Sequence, residues 1–207
     1  ALNRADVTTP VPSNFYQFSL DPQADARMVA ERLQSEGYQQ VYVIAPEGDW
    51  GQSIAASFGK AWVAMKGTIT NSATYQSGKN FTSDAQLLLA NHDQINEKVA
   101  IFLVANATDA RVLVPIIRNQ PTQLPIYALP VVYSGLPNSA ANAVLNGVNF
   151  PSTAWQLDSQ SAARQSFANL YPDAGEDELR LYGFGMDAYA LSRYYLDKHS
   201  FDGLNNT

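Results

Sequence analysis

Cysteine and histidine carry much enzyme chemistry, and this sequence has none of the first and two of the second. It contains no cysteine, which excludes disulfides, thiolate metal sites and a cysteine nucleophile within its 207 residues. His92, beside Asp93, and His199, near Asp197 and Asp202, stand far apart in sequence and close to predicted helix ends. Surface histidines at helix termini explain both, because a zinc site or a Ser-His-Asp triad would need companions that no local motif supplies. Neither a Walker A sequence nor HExxH or GxSxG occurs. Gly183, Gly185 and Ala188 fit the GxGxxA form of the dinucleotide fingerprint, but that fingerprint needs a preceding strand to bring the pyrophosphate to a helix N-terminus. Residues 176–181 (EDELRL) read as a charged helix instead, so the small residues predict close helix packing. These readings describe a non-enzyme with no cofactor and no metal site.

Binding chemistry is better represented. Glu47, Asp49 and Trp50 lie in a segment that leaves the end of a predicted strand and opens a helix, which is where α/β sheets hold ligands. Asp49 as N-cap, with Gly48 and Gly51 as turn formers, explains most of that segment without a ligand, and Trp50 is the residue it explains least. Asn106 and Thr108 take the equivalent place after another strand, and Tyr133 and Ser134 after a third. Three such loops on one sheet edge would line one side of a cleft, to which Asp187 could add a carboxylate. As anchors for a protein partner, Trp50, Tyr133 and Trp155 are the candidates, because aromatic residues on loops contribute disproportionately to binding.

The elements that must position these residues alternate strand and helix at intervals of about 30 residues, the rhythm of βαβ units and a mainly parallel sheet. Asp21 caps a helix with Pro22 in its first turn; Ala26, Val29, Ala30 and Leu33 recur at helical spacing, and Gly37 supplies a left-handed stop. A strand follows at 41–45, then a helix begun by Asp49 and ended by Gly67, with Ile54, Phe58, Ala61, Trp62 and Met65 as its apolar stripe. Residues 69–75 read as a polar edge strand, and Ser83 with Gln86 as a capping box. A buried strand at 99–104 leads to a helix opened by Thr108 or Asp109 and kinked at Pro115, and 126–129 is the next strand. Composition makes 134–143 a loop, with extended character resuming at 147–150. Beyond Ser159 only helices are predicted, at 162–170 and about 176–196, with no further strand for them to cover. Residues 15–20 (FYQFSL) are a strand candidate without a partner.

With 46% hydrophobic and 15% charged residues, the chain can bury one sizeable core or two modest ones. Its longest apolar run, 99–105, is far shorter than the roughly 20 residues of a membrane-spanning helix. The start, ALNRADVTTPVPSN, lacks the basic and apolar regions of a signal peptide, so a targeting segment is expected upstream or already removed. A net charge of −6 with scattered basic residues argues against a nucleic-acid surface and against direct contact with anionic lipid.

VYVIAPEGDWGQ and VAIFLVANATDA, in that order, look like the second lobe of type I periplasmic-binding proteins. The opening ALNR, LPIYALPVVYSGLPN, LNGVNFPSTAW and RLYGFGMDAYAL together resemble the carboxyl-terminal domain of the LppC or LpoA family across essentially the whole chain. That resemblance implies an α/β fold with a mainly parallel sheet sandwiched by helices, one complete lobe (20–149) and part of another (1–19 with 150–207). It implies a periplasmic regulator, held at the outer membrane by an upstream lipidated N-terminus, that binds a class A penicillin-binding protein and stimulates peptidoglycan synthesis. It also implies that the first part of lobe one precedes Ala1. The alternative is a solute receptor for an amino acid, amide or sugar. Glu47, Asp49 and Asp187 are the acids available to it, and no arginine pair stands near them to clamp a carboxylate.

Overall fold

Residues 16, 18–78, 98–119, 123–133, 139–158, 160–198 and 201 are described by a computed structural model. Two compact units are present, Asp21–Ser152 and Ala1–Leu20 with Thr153–Thr207.

In the Asp21–Ser152 unit, α1 (Pro22–Ser35) starts where the Asp21 side chain accepts the Gln23 N–H at 3.0 Å, and Pro22 gives up no hydrogen bond in the first turn. Its Ala26, Val29, Ala30 and Leu33 are buried, and Gly37 takes φ +79° beyond its end, as the sequence predicts. The remaining elements are β1 (Gln40–Pro46), α2 (Asp49–Ala64), β2 (Thr68–Tyr75), β3 (Val99–Leu103), α3 (Ala107–Arg118), β4 (Ile126–Ala128), a 3₁₀ turn (Pro130–Val132), the short α4 (Ser139–Asn142), a second 3₁₀ turn (Ala143–Leu145) and β5 (Val148–Asn149). Composition predicts a loop over 134–143, but 139–142 are helical; α3 runs on through Pro115. The Ser83 capping box and both histidines lie outside the described residues.

All pairings are parallel, in the order β2-β1-β3-β4-β5. Alternation along each strand sends side chains to two cores. Val41, Val43, Ala45, Ala100, Phe102 and Tyr127 face α1 and α2, where Phe58 and Trp62 are fully buried. Tyr42, Ile44, Ile101, Leu103 and Ile126 face α3, with Leu113, Val114 and Ile117. Burial on both faces accounts for the continuous apolar runs of β1 and β3. β2 stands at an edge, mostly exposed and polar, as expected.

Two helix ends differ from expectation. Lys66, at φ +66°, makes the left-handed turn after α2, and Gly67 serves another purpose, since a Cβ there would lie 2.1 Å from the Trp62 ring. Asp49 is the first helical residue of α2 and does not cap it; the N-cap is Gly48, at φ +96°, with no side-chain bond.

The other unit is helical, without a strand among its described residues: α5 (Ala154–Leu157), α6 (Ala162–Leu170) and α7 (Glu176–Lys198). Half-buried Trp155 is stacked on Tyr182 at 5.5 Å and edge-on to Phe167 at 5.8 Å, with its Nε1 donating to the Leu179 carbonyl at 2.8 Å. Gly183, well inside α7, permits that packing, because its Cβ would lie 2.5 Å from the indole. A helix, not a strand, therefore precedes Gly185 and Ala188, and the dinucleotide reading falls. Residues 16 and 18–20 form no strand either. Their aromatic rings pack on α7 instead, Phe18 on Phe184 at 4.7 Å and Tyr16 against Tyr195 at 5.2 Å.

Candidate functional site

Because the strands are parallel, their carboxyl ends share one edge, and the loops leaving β1, β2 and β3 are neighbours there. Glu47 leaves β1 with its N–H bonded to the Tyr75 carbonyl at 2.8 Å and its carboxylate accepting from Gln76 Nε2 at 2.9 Å. Asp49 and Trp50 form the exposed first turn of α2, Trp50 being 43% exposed. Gly51 is no turn former. It lies inside α2, where a Cβ would come within 2.0 Å of the Pro46 carbonyl oxygen, so its role is close approach of helix to strand.

After β3, Asn106 is the N-cap of α3, accepting the Asp109 N–H at 2.8 Å, a role the sequence placed on Thr108 or Asp109. Thr108 is exposed in the first turn of the same helix. Tyr133 follows the first 3₁₀ turn and stacks on Phe150 at 5.9 Å; Ser134 lies outside the described residues. Glu47, Asp49, Trp50, Asn106 and Thr108 thus share one edge. Asp187, exposed on α7, and Trp155 belong to the other unit.

Asp109 is the residue that sequence reasoning underrated. It is 7% exposed, and its carboxylate accepts from Ser77 Oγ at 2.6 Å, Asn106 Nδ2 at 3.1 Å, the Gly78 N–H at 3.2 Å and the Tyr75 hydroxyl at 3.5 Å. Burial, and then the neighbouring Asp109 charge, raise the Tyr75 pKa, so the hydroxyl keeps its single proton, which is shared between the Val104 carbonyl at 2.9 Å and the more distant Asp109 carboxylate. One signal was available: Asp109 shares four-residue spacing with Leu113 and Ile117, and a carboxylate on an apolar stripe needs partners.

Cavities lie elsewhere among the described residues. One of about 460 Å³ runs beside α1 and β5, between Met28, Arg32, Tyr127 and Phe150. Another, of about 640 Å³, is bordered by Phe167, Leu170, Tyr171 and Tyr182. Neither is lined by a residue the sequence proposed for binding. Among the described residues no group of three or more His, Cys, Asp or Glu is placed to hold a metal ion, and no helix is long and apolar enough to cross a membrane.

A relative from Photobacterium profundum, a penicillin-binding protein activator LpoA, is 25% identical over 92% of this chain and 35% of its own length. The crystal structure of full-length LpoA from Haemophilus influenzae superposes with a TM-score of 0.75 at 25% identity, covering 90% of this chain and 34% of that one. The chain thus spans about a third of the length of these relatives. A putative branched-chain amino acid ABC transporter from Rhodospirillum rubrum, 23% identical, shares the fold with a TM-score of 0.66 over 82% of this chain and 49% of its own. The parallel sheet between helices is accordingly a type I periplasmic-binding-protein fold. The model of the family described as LppC putative lipoprotein matches residues 1–205, and the chain belongs to that family.

Proposed function

We propose that this chain is the partner-binding part of a periplasmic lipoprotein that is held at the outer membrane through an upstream lipidated N-terminus. In this reading it binds a class A penicillin-binding protein and raises its rate of peptidoglycan synthesis without catalysing a reaction itself. The reading rests on one observation, likeness to penicillin-binding protein activators along 92% of the chain. The Asp21–Ser152 unit stands for one lobe of a periplasmic-binding fold, expected from the sequence at 20–149, and the other unit for part of the second lobe. The carboxyl edge of the sheet supplies the contact surface. Trp50 is its anchor, since an exposed tryptophan on a helix terminus offers large apolar area at small ordering cost. Tyr133 stands further along the same edge. Trp155 is already engaged by Phe167, Tyr182 and the Leu179 carbonyl, which leaves it to shape its own unit.

The test immobilises the 207-residue chain, measures binding of a class A penicillin-binding protein, and follows glycan polymerisation with and without the chain. Saturable binding and a faster rate are expected. Trp50→Ala should weaken binding by about 2 kcal/mol, roughly thirtyfold, without changing the melting temperature. Absence of both binding and acceleration overturns the reading for this chain.

The shared fold with a putative amino acid ABC transporter protein keeps a solute receptor as a second reading. A thermal-shift screen with amino acids, amides and sugars separates the two, since ligand at a hundredfold excess over its Kd adds about 2.7 kcal/mol. No shift is expected. A shift with one solute class would favour the receptor.

A further inference from the structure

Three of the four donors that Asp109 collects come from outside its own helix and cap. Ser77 and Gly78 lie just past β2, more than 30 positions away in sequence, and Tyr75 is the last residue of that strand. A helix cap needs none of them, because Asn106 already caps α3 and its Nδ2 returns a bond to the Asp109 carboxylate. All four donors are neutral, so the buried charge is satisfied by geometry alone, helped by its place in the first turn of α3. β2 is held to β1 by parallel pairing as far as Tyr75, and Asp109 reaches the two residues just beyond that ladder, Ser77 and Gly78. β2 is an edge strand in which Tyr75 is the sole buried residue.

The bonds continue past Asp109. Tyr75 also accepts the Glu47 N–H through its carbonyl, and Gln76 holds the Glu47 carboxylate. The exit of β1 that leads to Trp50 at the start of α2, the exit of β2, and the Asn106 cap that starts α3 are therefore connected through residues bonded to Asp109 or one step removed from it.

We propose that Asp109 is a positioning residue that fastens the exits of β1, β2 and β3 into one preorganised surface. As a partner surface this rests on the activator reading above; as a tether it does not. In Asp109→Asn one acceptor oxygen becomes an NH₂ facing the Ser77 hydroxyl and the Asn106 amide, both donors in the native arrangement. Hydrogen exchange in the 207-residue chain reads the result. The Gly78 amide should exchange about tenfold faster, while Ile101 and Phe102 inside the sheet keep their protection. Ser77→Ala removes only the 2.6 Å bond and should reproduce part of the effect, which carries the test if Asp109→Asn fails to fold. Asp109→Asn should also bind the penicillin-binding protein several-fold more weakly, with Trp50 and Glu47 unaltered in sequence.

Unchanged exchange at Gly78 in the variants overturns the tether, and so does a rise of equal size at Ile101 and Phe102, which is the mark of general destabilisation. Faster exchange at Gly78 with undiminished binding confirms the tether and removes its link to the partner surface. A parent chain that does not bind at all refutes the activator reading and leaves the exchange result to decide on Asp109.

Discussion

Trp62→Ala is expected to destabilise the Asp21–Ser152 unit by about 3–5 kcal/mol. The indole is fully buried, stacks near Phe58 at 6.1 Å, and Phe58 in turn lies 4.1 Å from the Phe102 ring, so the cavity opens where α2 meets β3. The substitution also removes the Nε1 bond to the Thr68 carbonyl at 3.1 Å. Urea denaturation measures it, with a lower midpoint and an unaltered slope expected. A companion cycle identifies the contact. Gly67→Ala alone places a methyl 2.1 Å from the indole and should destabilise, yet in the Trp62→Ala background the collision has gone and the same methyl should cost much less. Equal costs in the two backgrounds would show that Gly67 is not held by the tryptophan.

Gly51→Ala should be nearly as damaging, at about 3 kcal/mol or more. The added Cβ would meet the Pro46 carbonyl oxygen at 2.0 Å and the proline ring at 2.9 Å. The oxygen belongs to the backbone, so relief requires α2 to retreat from the end of β1. A fall in Tm of about 10 °C follows for a chain of this size, measurable by calorimetry. A Tm within about 2 °C of the parent would mean that the helix start is free to move. Because Trp50 precedes Gly51 in the same turn, the retreat should also weaken partner binding.

How much of this was legible differs from one element to the next, for physical reasons. α1 was readable throughout, since Asp21, Pro22, the spacing of Ala26, Val29, Ala30 and Leu33, and Gly37 are all local signals that agree. The sheet was readable because strands covered on both faces must be continuously apolar. Glycine roles were harder. Gly48, Gly51 and Gly67 look alike in sequence, and only the fold shows that the first turns the chain while the others make room for Pro46 and Trp62. At 15–20 the aromatic residues suggested a strand, but packing on α7 decided the conformation of those described. The shared edge of Glu47, Asp49, Trp50, Asn106 and Thr108 followed from their places just after the carboxyl ends of strands expected to be parallel. Asp109 did not, because its donors Ser77 and Gly78 are distant in sequence and meet it through strand pairing.

β2 governs one more property, how the molecule behaves when crowded. Among the described residues no strand pairs with its outer side, and such an edge is a template for strands of other chains. Thr68, Thr70, Asn71, Ser72 and Thr74 are exposed along it, and the register with β1 slips between Val41 and Tyr42, leaving Thr70 unmatched. Polar side chains and an irregular ladder make a poor bed for an incoming strand. The hydrophobic strands β1 and β3 are thereby shielded behind a margin that resists aggregation.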